Sequence, residues 1–267
     1  MRSILFHLRI GAAYLAQFIK TRLEYKTDFI VGAIVAVFSH SVALIFIDVL
    51  FARKGISLNG WSRAEVMFIY GFSILPHNLF STFFRNLYSV GSMYILDGHL
   101  DRVLLRPLNP LFQVLMEKIA VERVVGFVLS GAIMAYAGAQ MDMSWTAGRI
   151  LMVLFFAFCG TFIYGGVFTI LASLSFWMPS RIGLMAPVYN LMAFGKYPVT
   201  IYNHLLQAVL TWIIPFAFVA FFPCTLVMGR SGFLFYAMLT PAVAAACMGA
   251  GYRVWSLGVR KYESTGS

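Results

Sequence analysis

The residues of this chain that could do chemistry are few and scattered. His40 stands alone in the middle of an apolar run, and Asp48 follows near the end of that run, close enough to pair with Arg53 or Lys54. Pro76, His77 and Asn78 interrupt a second run. A proline there frees a backbone carbonyl that nearby polar groups or water must satisfy, as in a kink lining a cavity. Glu117, Lys118, Glu122 and Arg123 cluster before a third run, with Lys118 and Glu122 at i,i+4 spacing. Ionisable groups at membrane depth are costly, so each is a candidate for function. A lone histidine such as His40 is first read as a hydrogen bond between helices, and second as a proton relay. No Ser/His/Asp or metal-ligand set emerges. Cys159, Cys224 and Cys247 lack ligand spacing and sit in apolar runs as small core hydrophobes. No G-x-x-x-x-G-K-[ST] loop is present, and "GKY" at 195–197 lacks both the upstream glycine and the hydroxyl residue. The chain is therefore expected not to be an enzyme and to bind no cofactor. Energy must come from another polypeptide or from an ion gradient.

The elements that position these residues are membrane spans. Hydrophobic residues make up 61% of the 267, and charged residues only 11%, far below the soluble average of about 25%. Apolar runs of roughly 20 residues recur, the length that crosses the hydrocarbon core as a helix. The net charge of +10 does not point to nucleic acid, because the charges lie at span ends. The expected class is an all-α integral membrane protein with six transmembrane helices, at 29–51, 64–87, 112–138, 147–175, 181–197 and 232–254. Residues 1–26 are not a signal peptide. Ile4, Leu8, Leu15, Phe18, Ile19 and Leu23 recur helically among Arg2, Arg9, Lys20 and Arg22, which predicts an amphipathic helix in the membrane interface.

Lysine and arginine set the orientation. With the N-terminus inside and six crossings, fourteen fall on the inner side: Arg2, Arg9, Lys20, Arg22, Lys26, Arg85, Arg102, Arg106, Lys118, Arg123, Arg181, Arg253, Arg260 and Lys261. Six fall outside: Arg53, Lys54, Arg63, Arg149, Lys196 and Arg230. The bias places both termini in the cytoplasm. Ser62 and Glu65 form a capping box at the start of the second span. Trp61 and Trp145 are expected at the outer interface. Asn109–Pro110 reads as an N-cap with proline at the first helical position, opening the third span.

Residues 88–109 then form the largest cytoplasmic loop. Within "GHLDRVLLRPLNPLFQVL" (98–115), Leu96, Leu100, Val103 and Leu104 share a helical face, with Asp97 and Asp101 on another. Pro107 disfavours helical geometry at Arg106 and ends the element. A helix too short to span must lie on the membrane surface, with its apolar face covered by headgroups, the protein's own helices or a partner.

Residues 198–228 admit two readings. In one, 203–228 is an ordinary fifth span and 181–197 stays cytoplasmic. In the other, 181–197 crosses outward and 198–228 is a broken, re-entrant pair of helices on the outer side. Pro198, Pro215 and Pro223 favour the second, since each interior proline removes a backbone bond. Against it, 181–197 is at the lower limit for a span and contains Asn190 and Lys196.

An interfacial helix, two spans, a cytoplasmic amphipathic helix and four more hydrophobic elements resemble the membrane subunit of type 2 ABC exporters, closest to an uncharacterised bacterial permease branch. The resemblance rests on "EYKTDFIVG" (24–32), "FIYGF" (68–72), "GHLDRVLLRPLNPLFQVL" and "YPVTIYNHLLQAVLTWIIPFAFVAFFPCTLVMG" (197–229). It implies a cytoplasmic-membrane permease that forms a path with a second copy or paralogue. Two separate ATPase subunits would use ATP and magnesium. The resemblance makes the loop helix a coupling helix docking in an ATPase groove, through Asp97, Leu100, Asp101, Arg102, Leu104 and Arg106. It also makes "YPVTIY" the way into an outer gate, with Tyr197, Pro198, Tyr202, Pro215 and Phe216. An ion-coupled transporter and a lipid-handling membrane enzyme are the rival readings; the first needs intramembrane carboxylates, the second a clustered polar site.

Overall fold

The computed structural model describes residues 26–52, 58–119, 124–178 and 185–263, and among them regular structure is helical apart from one isolated bridge, Leu58 to Trp61. The expected interfacial helix at 1–26 lies outside the described residues, as do Arg53, Lys54, Glu122, Arg123 and Arg181. Ten α-helices follow in order: α1 (Lys26–Phe51), α2 (Arg63–Phe83), α3 (His99–Leu104), α4 (Pro110–Met116), α5 (Val124–Gln140), α6 (Ala147–Ser173), α7 (Met185–Leu191), α8 (His204–Ala208), α9 (Phe221–Val227) and α10 (Leu234–Lys261).

Four of these helices are long and apolar enough to cross a membrane: α1, α2, α6 with its 3₁₀ extension, and α10. Helix α5 is apolar but has only 17 residues, about 25 Å of rise. Burial runs against hydropathy. Helix α1 is the most apolar span and is almost wholly exposed, while α2 is the least apolar and 83% buried. Lipid is as apolar as leucine, so a greasy helix gains nothing by hiding, whereas polar side chains need protein around them. Helix α2 therefore forms the centre, flanked by α5 and α6, and α6 packs along α10. Helices α6 and α10 meet backbone to backbone at Gly166 and Gly251. A Cβ on Gly166 would lie 2.3 Å from the Cys247 carbonyl carbon, and one on Gly251 would lie 2.7 Å from the Gly166 oxygen. Small residues at the crossing are what permit that approach.

The second span ends at Phe83, short of the expected 87, and continues as a 3₁₀ turn, Arg85–Ser89. Asn109 does cap a helix, its side chain accepting from Phe112 N–H at 3.1 Å, with Pro110 at the first position. That helix is α4 and not the third span: it stops at Met116, residues 118 and 119 are not helical, and the next described helix begins at Val124. The i,i+4 pairing of Lys118 with Glu122 thus loses its helical basis at Lys118. The expected crossing at 181–197 contains, among its described residues, the seven-residue helix α7 and a 3₁₀ turn, Phe194–Lys196. Seven residues rise only about 10 Å.

Residues 198–228 are broken. The stretches His204–Ile213 and Phe216–Val227 meet at 77° around Pro215. Both ends of the segment reach the same loop. Asn59 Nδ2 donates to the Thr200 carbonyl at 2.7 Å and Trp61 Nε1 to Thr200 Oγ1 at 2.8 Å. Arg230 donates to the Gly60 carbonyl at 2.8 Å and pairs with Glu65 at 2.5 Å. A segment tied at both ends to residues 59–65 enters and leaves at one end of the bundle. That end also holds the Asp48–Arg63 pair, and Arg63 reaches Gln140 at the end of α5. The opposite end holds α3, α4, the Leu174–Phe176 turn and the end of α10.

Candidate functional site

Local sequence explains why a short helix sits at residues 99–104. A π-helical turn, Val90–Leu96, stops at Asp97, and Gly98 adopts φ 72°, a left-handed geometry that favours glycine. The chain then restarts as α3. Pro107 follows the helix, as expected. Four polar side chains fix its frame. Gln113 Nε2 on α4 donates to the carbonyls of Val103 and Leu108, both at 3.0 Å, satisfying acceptors that a helix end leaves open. Asn86 donates to the Tyr94 hydroxyl at 2.7 Å and to the Val114 carbonyl at 2.6 Å. Tyr94 in turn donates to Glu117. Burial first, and the Glu117 carboxylate second, hold the Tyr94 phenol well above its ordinary value, so it stays a donor.

The loop is also tied to the last helix. Asn109 Nδ2 donates to the Tyr252 hydroxyl at 2.9 Å. The Tyr262 phenol is raised by burial and by the neighbouring Asp101 carboxylate. A push on residues 97–109 thus reaches α10, and through Gly166 and Gly251 it reaches α6.

The shared apolar face expected for this helix is split. Leu100 is fully buried and Val103 nearly so, both within the protein's own core. Leu104 is 40% exposed and Leu105 85% exposed. Asp97, Arg102 and Arg106 are exposed, and Asp101 is intermediate. Of the six residues expected on the coupling surface, Leu100 is withdrawn as an anchor and the other five reach the surface. Leu105, which sequence reasoning passed over, is the most exposed apolar side chain of the group. Behind the helix lies a cavity of about 350 Å³, lined by Met93, Tyr94, His99, Arg102, Arg106 and Glu117 among others.

The residues expected at an outer gate lie along the broken segment and the turn before it. Tyr197 stacks on Tyr70, with centroids 6.3 Å apart. The Tyr202 hydroxyl donates to the Phe194 carbonyl at 3.0 Å. Phe216 is fully buried against Tyr164 at 4.9 Å, and Pro198 is buried. Pro215 sits at the bend. The Ser62–Glu65 capping box is present.

Other polar residues and the cysteines are placed as well. Asp48 pairs with Arg63 at 2.7 Å, a partner far closer in space than in sequence. Trp61 is buried under Arg230, whose guanidinium lies 3.8 Å from the ring centroid, so it serves the protein interior and not the lipid interface. Asn59 and Gly60 both have positive φ, 50° and 81°, as in a type I′ turn. The "NG" dipeptide was the signal for this clamp. Pro76 lies within α2, which runs unbroken from Arg63 to Phe83, and Asn78 is buried against Gly126. The proline is buried within the continuous helix. His40 makes an interhelical hydrogen bond, 2.8 Å to the Tyr70 hydroxyl. Cys159 and Cys224 are buried and Cys247 is partly so, all as free thiols. Among the described residues, no three His, Cys, Asp or Glu side chains group as metal ligands.

Against known proteins, residues 37–266 match the model of a family described as ABC-2 family transporter protein. Neither a curated protein nor a solved structure matches the sequence significantly.

Proposed function

We propose, from the premise that this chain belongs to the ABC-2 family of transporters, that it is the permease of an ATP-driven exporter, with residues 97–106 as its contact with the ATPase. The family makes it a multi-pass transmembrane subunit of an ABC transporter. In the proposed assembly, two permeases, identical or paralogous, enclose the path. Two separate ATPase subunits dock on the cytoplasmic side and supply the ATP and magnesium chemistry. The chain crosses six times, the crossing at 181–197 being only partly helical, with both termini cytoplasmic, in a bacterial cytoplasmic membrane. Residues 198–228 form a re-entrant outer gate.

The observation that carries the docking role is the split of α3. Leu100 and Val103 anchor it inward, while Leu104, Leu105, Arg102 and Arg106 are left outward. A short helix with exposed apolar residues and flanking charges suits a groove. Its bonds to α4 and α10 give a rigid route for movement. For the gate, support comes from the clamp that ties Thr200 and Arg230 to one loop. An ion-coupled mechanism is disfavoured because Asp48, the obvious carboxylate of the spans, already pairs with Arg63.

The test is co-purification. Expressed with a candidate ABC ATPase partner from the same genome, the tagged chain should retain that ATPase in detergent. A Leu105→Asp variant that inserts normally should release it. An ATPase equally retained by the Leu105→Asp and Leu104→Asp variants would end the docking role.

A further inference from the structure

Lys196 is the cation whose surroundings the transporter reading leaves unexplained. Among the described residues at its end of the bundle, the other cations are engaged. Arg63 pairs with Asp48, and Arg230 with Glu65. Arg149 donates to the Ser144 carbonyl at 2.6 Å, beside Asp142 around a small cavity. Lys196 has no carboxylate and no hydrogen-bond partner among the described residues, and it is half-buried. It also cannot easily swing away with its backbone. Its turn is pinned by Gly195, where an added Cβ would lie 3.2 Å from the Phe216 carbonyl oxygen.

Its neighbours place it within the membrane. His40 lies midway along the 22-residue span Ile30–Phe51, roughly 15 Å from either end, so its depth does not depend on orientation. His40 bonds to Tyr70 at 2.8 Å, Tyr70 stacks on Tyr197, and Tyr197 follows Lys196. Measured along the helices, His40 and Tyr70 lie about 10–12 Å inward of the Asp48–Arg63 pair. The Tyr197 hydroxyl makes no hydrogen bond to a described residue. Lys196 and Tyr197, consecutive in the chain, therefore both lack a described partner at a depth where water does not meet their needs. An unpaired charge there is expensive, and an anion with acceptor oxygens would satisfy both groups.

We infer that Lys196 and Tyr197, with His40 and Tyr70 behind them, form an intramembrane recognition site for the anionic head, phosphate or carboxylate, of an amphipathic molecule. The site lies where the segment proposed as the outer gate joins α1 and α2. It would hold the head of a cargo, or of a resident lipid, part-way across. This rests on the chain being a membrane permease but not on ATPase coupling, because binding is measured on the full chain without ATPase or nucleotide.

The probe is a single-chain alkyl phosphate with a fluorescent tail, followed by anisotropy in a nonionic detergent beside the same-tailed alcohol. The phosphate should bind at least tenfold more tightly than the alcohol, and Lys196→Gln should abolish that preference. Lys196→Arg should keep it, and Tyr197→Phe, which removes only a hydroxyl, should weaken phosphate binding several-fold. Arg149→Gln should leave it unchanged. Mass spectrometry of the purified protein separates the sources. An anionic phospholipid retained by the wild type and lost from Lys196→Gln identifies a resident lipid; its absence alongside probe binding identifies a site open to cargo. Equal binding of phosphate and alcohol, wild-type preference in Lys196→Gln, or equal loss in Arg149→Gln would overturn the inference.

Discussion

Leu104 and Leu105 show how much a single position can decide. Leu100 and Val103 carry the packing of α3, so they are poor probes of docking: truncating them would unseat the helix itself. Leu104 and Leu105 are exposed, and replacing either with aspartate leaves the isolated chain almost untouched. In a docked complex the same carboxylate would be buried without a partner, at a cost on the order of several kcal/mol. Leu104→Asp should therefore express, insert and melt like the wild type, yet lose transport. Thermal unfolding in detergent and a vesicle transport assay check the two halves separately. Gly166 is the contrasting case. Its Cβ would collide with backbone, which cannot rotate away as a side chain can. Gly166→Ala should lower stability by about 1–3 kcal/mol or prevent assembly, whereas Gly131→Ala, where the Cβ meets nothing within 4 Å, should be close to neutral. Equal melting midpoints for the two variants would contradict the α6–α10 crossing.

At the scale of elements, the clamp around residues 59–65 holds three parts of the chain with few bonds. The loop before α2, the turn before α8 and the turn before α10 meet through Trp61, Glu65, Thr200 and Arg230. The Arg230–Glu65 pair is partly shielded, its guanidinium also covers Trp61, and so it is worth more than an open surface pair. A double-mutant cycle with Glu65→Gln and Arg230→Gln should give a coupling of about 0.5–3 kcal/mol in detergent unfolding. Additive effects would mean that the two groups do not interact. At the opposite end, Gln113 does comparable work for α3. Gln113→Leu removes both donors and leaves the Val103 and Leu108 carbonyls to find water. The variant should lose about 1–3 kcal/mol, and amide exchange across residues 99–106 should accelerate while α2 stays protected.

For the whole molecule, the charges separate by end. Arg85, Arg102, Arg106, Lys118, Arg253, Arg260 and Lys261 belong to the end with α3, and Arg63, Arg149 and Arg230 belong to the other. In the proposed orientation, the positive-inside rule places α3 in the cytoplasm. Single cysteines in a background lacking the native three give the check in intact cells. Cysteine at Ser89 should resist an impermeant thiol reagent and cysteine at Ser57 should react. Cysteines at His204 and Ser231, both exposed, flank the bent pair. Both should react from outside if 198–228 is re-entrant. Labelling of only one of the two would make 203–228 a full span.

Membership of the membrane class was legible in the sequence, because apolar runs and the scarcity of charge leave a chain no other solvent. Local devices were legible too: the Ser62 capping box, Asn109–Pro110 and the stop at Pro107 act over a few residues, and the broken 198–228 segment announces itself through its prolines. Which way a side chain faces was not legible, since hydropathy measures how apolar a helix is and not what surrounds it. The most apolar span, α1, lies exposed and the least apolar, α2, lies at the centre. Nor could spacing show that Asp48 meets Arg63, that Trp61 lies beneath Arg230, or that Leu100 turns inward while Leu104 and Leu105 turn outward. Arg230 also reaches the Gly60 carbonyl, 170 positions away. Such pairings are settled only when the helices pack, because in lipid it is close backbone approach and shared polar contacts, not hydrophobicity, that choose one arrangement of spans over another.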